Sequence, residues 1–86
     1  MKVLIEIPVV HYDLFVAECD ITSREYTILK NSIVTCDPEA DPDRCFVEIL
    51  CEEQEAFRLL FAATQDYPEV THAITAAIDR ARKSRS

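Results

Sequence analysis

From residue 2 to residue 9 apolar side chains recur at every second position. Val3, Ile5, Ile7 and Val9 share one side of an extended backbone, with Leu4, Glu6 and Pro8 on the other. A period of two predicts a strand, and Pro8 marks its end because proline cannot donate to a ladder. Mostly apolar residues on both sides predict a well-covered strand. Over 10–19 the spacing of His11, Leu14, Phe15 and Glu18 changes to that of a short helix. Thr22-Ser23-Arg24-Glu25 then reads as a capping box, in which hydroxyl and carboxylate satisfy reciprocal backbone donors. A second short helix is expected after it, with Tyr26, Leu29 and Lys30 on successive turns.

Residues 32–36 are rich in β-branched side chains, and residues 44–51 alternate again. Cys45, Val47, Ile49 and Cys51 fall on one face, Phe46, Glu48 and Leu50 on the other. Two such runs around an acidic, proline-containing stretch predict a hairpin with a long, solvated loop. Ala56, Phe57, Leu60, Phe61 and Thr64 stand at helical spacing, behind Glu52, Glu53 and Glu55 in a first turn where negative charge is favoured. Asp66-Tyr67 interrupts, and Pro68 suits the start of a last helix with Val70, Ala73, Ile74, Ala77, Ile78 and Ala81 on one narrow stripe. The predicted order is β-α-α-β-β-α-α. This is an α+β fold, a small three-stranded sheet of one N-terminal strand plus a hairpin, covered by helices. The expectation is one domain over 1–83 and a frayed tail over 84–86.

Composition narrows the chemistry. The chain of 86 residues contains no glycine, against about 7% usually. Glycine-dependent phosphate loops, dinucleotide fingerprints and nucleophile elbows are therefore excluded. The N-terminal apolar run has one basic residue, is broken by Glu6 and Pro8, and lacks a small-residue cleavage site, so it reads as a strand and not a secretory signal. A cytoplasmic protein is expected, with its four cysteines as free thiols.

Charge points to the partner class. Residues 1–79 hold 16 acids against 5 bases, a net of −11, and residues 37–55 alone carry −7. Such a body is repelled by phosphate backbones, so direct nucleic-acid binding is not expected. Arg80, Arg82, Lys83 and Arg85 crowd the C-terminus, where cations favour a helix end.

The stretch CDPEADPDRC, residues 36–45, sets four carboxylates between two cysteines. Asp37, Glu39, Asp41, Asp43 and Glu48 approach the spacing of a calcium loop, but Pro42 stands where that loop requires glycine. Cys36 and Cys45 come within bridging range if the hairpin register pairs them. Cys19, Cys36, Cys45 and Cys51 contain no close pair of the kind zinc sites use. His11 and His72 lie on separate predicted helices, which leaves no evident catalytic constellation, and no cofactor is implied. An enzyme built on His11 and a cysteine is the remotest reading.

The leading reading is a small protein-binding, regulatory module acting through Asp37, Glu39, Asp41, Asp43, Glu52, Glu53 and Glu55 on a partner with a basic surface. In its more pointed form it inhibits a nucleic-acid-handling protein. No membrane contact is expected, and the last-helix stripe, if left open, favours a homodimer. The alternative is a thiol- or metal-linked sensor using Cys36, Cys45 and Cys51.

Overall fold

Seven elements follow one another: β1 (Lys2–Pro8), α1 (Val9–Glu18), α2 (Ser23–Lys30), β2 (Ile33–Thr35), β3 (Phe46–Glu52), α3 (Glu53–Ala63) and α4 (Pro68–Arg85). They belong to a computed structural model that describes residues 1–36, 44–63 and 66–85. The predicted order and the three-stranded sheet are both present. β3 is the central strand, antiparallel to β1 on one side and to β2 on the other.

Register follows from the alternation. Val3 faces Cys51, Ile5 faces Ile49 and Ile7 faces Val47. All six are buried, and they meet Phe15, Ile28, Leu29, Ala56, Leu59, Val70 and Ile74 from the helices in one cluster. Each fully buried aliphatic side chain contributes about 1.5–3 kcal/mol. A slip of one residue between β1 and β3 would turn either Leu4 and Glu6 or Glu48 and Leu50 into that cluster, so the register is strongly specified.

The helices begin and end by the devices the sequence offers. The Thr22 hydroxyl accepts from the Glu25 amide at 3.3 Å, and the Glu25 carboxylate accepts from the Thr22 amide at 2.7 Å. α1 ends at Cys19 with φ −78° and α2 at Asn31 with φ −90°. Neither uses the left-handed residue that glycine commonly supplies. Pro68 opens α4, whose Val70, Ile74, Ala77 and Ile78 are buried within the chain. α4 runs to Arg85.

Three helix and strand faces differ from expectation. On α2 the buried residues are Ile28 and Leu29, while Tyr26 is exposed. On α3 the buried line is Ala56, Leu59 and Ala63, and Phe61 is 80% exposed. In both, small or aliphatic residues sit against the neighbouring element and the aromatic ring is turned out, so side-chain size misassigned the face. β1, expected to be well covered, is covered on one side only by the described residues.

Replacing Ile49, at the centre of the buried ladder, by Ala is expected to cost about 2–5 kcal/mol in urea unfolding. Leu50→Ala, one position along on the other face, is expected to cost under about 1 kcal/mol. Equal losses would contradict this assignment of the two faces.

Candidate protein-binding surface

Three of the seven acidic residues predicted to form the site are among the described residues. Asp37, Glu39, Asp41 and Asp43 lie outside the described residues. Glu52, Glu53 and Glu55 are described, and each serves the fold. The Glu52 carboxylate lies 3.0 Å from the Lys2 ammonium and 3.1 Å from the α-amino group of Met1. Hydrogen bonds from these two cations, Lys2 first, hold the Glu52 carboxyl below its usual range. Glu53 receives Arg82 at 3.0 Å, and the same guanidinium lies 5.7 Å from the Phe57 ring centre. Glu55 accepts the Glu52 amide at 2.9 Å. Two members of the basic C-terminal cluster are thus folded back on the body: Arg82 on Glu53, and Arg80 on the Leu4 carbonyl at 3.4 Å.

The cysteines separate into two kinds. Cys36 and Cys45 form a disulfide with a Cα separation of 4.6 Å, correcting the expectation of four free thiols. The register accounts for it. Thr35 faces Phe46, so Cys36 and Cys45 are the next opposed pair, at the separation typical of antiparallel partners without mutual hydrogen bonds. Cys19 and Cys51 are free. Burial, and then Glu55, push the Cys51 thiol up to about 11. Burial also raises Cys19, with Glu25 adding to it, and its thiol is placed to donate to the Ala62 carbonyl at 3.5 Å. Both environments favour the protonated thiol, the reverse of what activates a cysteine nucleophile. Among the described residues no three His, Cys, Asp or Glu side chains are grouped to hold a metal ion. No described helix is long and apolar enough to cross a membrane. His11 lines a groove of about 260 Å³ with Leu14, Glu18, Asp66 and Tyr67, while His72 is exposed on α4.

A surface missed in the sequence is the side of the sheet turned away from the buried cluster. Across β1 and β3 its rows run Lys2–Glu52, Leu4–Leu50, Glu6–Glu48 and Pro8–Phe46, with Ile33 and Thr35 extending the last two onto β2. Leu4, Leu50, Ile33 and Phe46 are 42, 58, 65 and 40% exposed. Glu6 faces Glu48 directly, and neither has an ion pair among the described residues. The backbone bonds Val9 N–H to Cys45 C=O and Glu53 N–H to Met1 C=O put the odd-numbered β1 positions in the mutually bonded pairs. Glu6 and Glu48 are then a non-bonded pair, with Cα atoms about 4.5 Å apart. Like charges so opposed are unfavourable by about 0.2–1 kcal/mol. The alternation Leu4, Glu6, Pro8 against Phe46, Glu48, Leu50 carried the signal, but it reads equally as a strand covered on both sides.

No protein-family model matches the chain, and no curated protein and no solved structure matches it either.

The low pKa of Glu52 gives a pH dependence with a definite sign. A carboxyl lowered on folding contributes stability above its unfolded value, near 4.5, and loses it as pH falls through the folded value. Glu52→Gln is therefore expected to lower stability at pH 7 and to leave it unchanged relative to the parent at the acid end. Unfolding curves between pH 7 and pH 3 that run parallel for the two proteins would contradict the pairing.

Proposed function

We propose that the chain is a small protein-binding, regulatory module that engages a basic protein surface through the uncovered face of its sheet. The observation that carries this reading is the coexistence, on one face, of four exposed apolar side chains and two opposed carboxylates that have no ion pair among the described residues. Exposed apolar patches of this kind mark interaction sites. The net charge of −11 over residues 1–79 steers cationic partners in and keeps polyanions out. Residues 37–43, which precede β3 in the sequence, contribute four further carboxylates to that net charge. A protein that handles nucleic acid carries a surface of the required sign, and inhibition by competition with the nucleic acid follows.

Titration with a dye-labelled amphipathic helix of lysine and leucine tests this reading by fluorescence anisotropy. Binding is expected to weaken roughly tenfold with Leu50→Ser, which leaves every charge in place, and to weaken with added salt. Binding indifferent to both would contradict it.

A second reading rests on the Cys36–Cys45 bridge. All three residues of β2 are exposed, and among the described residues β2 pairs with β3 alone. A dithiol reductant would transfer two electrons to the bridge, leaving two thiols here and a disulfide on the reductant. Closure of a segment this short is worth roughly 2–3 kcal/mol. Reduction is expected to lower stability by that amount and to speed amide exchange in Ile33–Thr35, with Cys36→Ser abolishing the response. Identical exchange before and after reduction would remove the sensor reading.

A further inference from the structure

We infer that the occupant of the open sheet face is a helix of a partner protein bearing one arginine four residues from an apolar side chain on either side. The inference rests on the protein-binding reading above and names the chemistry of its partner. Three observations carry it. The carboxylates of Glu6 and Glu48 occupy a middle row, with Leu4 and Leu50 forming the row before it and Pro8 and Phe46 the row after. Rows two strand residues apart are about 6.7 Å from one another. Positions four apart on a helix advance about 6 Å and lie on one side. A helix laid along the strands therefore brings its three side chains over the three rows in turn.

The middle side chain is a cation because it meets two carboxylates that have no ion pair among the described residues. A guanidinium fits better than an ammonium, since its planar fork of donors reaches two acceptors at once. A second copy of this chain is a poorer occupant. Two-fold pairing of this face would bring four carboxylates together on one apolar patch. At the chain's own basic end Arg82 is bound to Glu53 and Arg80 to the Leu4 carbonyl. A membrane surface or a nucleic acid is repelled by the −11 body.

The test uses the full chain and a synthetic 15-residue helical peptide. Leucine, arginine and leucine stand at positions 4, 8 and 12 of that peptide, and its remaining positions are neutral. A twin peptide carries citrulline in place of arginine, and a third is a scramble of the first. Titrations are run against the parent, Glu6→Gln, Glu48→Gln and Leu50→Ser. The expected result is roughly tenfold weaker binding for citrulline, for each Gln variant and for Leu50→Ser, with the citrulline and Gln losses overlapping and not multiplying. Glu6→Gln and Glu48→Gln remove a like-charge opposition, so both variants fold.

Equal binding of the arginine and citrulline peptides overturns the inference. If the lysine–leucine helix still loses affinity with Leu50→Ser, the protein-binding reading survives that failure. Equal binding of patterned and scrambled peptides likewise overturns it. If neither the arginine peptide nor the lysine–leucine helix binds, the inference and the reading under it fall together. Self-association of the parent that Leu50→Ser abolishes makes a second copy the occupant, and also overturns it.

Discussion

The β1–β3 ladder is the constraint from which the rest of the molecule follows. Three opposed pairs, Val3–Cys51, Ile5–Ile49 and Ile7–Val47, form the floor of the buried cluster. The helices reach that floor from one direction, and Phe15, Leu29, Leu59 and Ile74 all meet it there. A strand that offers one face to a core must offer the other to something else. In this chain the other face carries Leu4, Leu50, Phe46 and Ile33 around Glu6 and Glu48. The stability of the fold and the existence of an uncovered apolar face are therefore two consequences of one alternation.

The acidic character of the chain divides in a related way. Around the start of α3 the carboxylates are absorbed: Glu52 by Lys2 and the α-amino group, Glu53 by Arg82, Glu55 by a backbone amide. Those pairings tie the ends of β1 and α4 to the start of α3. On the open face Glu6 and Glu48 have no such neutralisation among the described residues, and they stand opposed where the ladder brings them closest. Among the described residues, the acids at the start of α3 and the Glu6–Glu48 pair are therefore in different electrostatic situations.

Much of the fold was legible because the periodicities were clean. The odd positions of 3–7 and 45–51 announced the buried ladder, Thr22 and Glu25 announced the start of α2, and Pro68 that of α4. What escaped depended on which elements meet. Tyr26 and Phe61 carry the larger side chains, but the close approach of neighbouring elements selected Ile28, Leu59 and Ala63 instead. The Cys36–Cys45 bridge needed the hairpin register, which spacing alone admits without choosing. The pairing of Glu53 with Arg82 needed α3 and α4 to run antiparallel, although both charge clusters were visible from the start. The open face was hidden for a simpler reason. A row of Leu4, Glu6 and Pro8 has the same composition whether a helix lies over it or water does.

The proposed binding is placed on the uncovered side of the sheet. Two-dimensional NMR of the full chain with a cationic amphipathic helix reports that location directly. Shifts are expected in the methyl signals of Leu4, Leu50 and Ile33 and in the Phe46 ring, with Ile5, Ile49 and Ile74 unmoved. Shifts concentrated instead at Glu53–Arg82, or in the groove beside His11 and Tyr67, would contradict it.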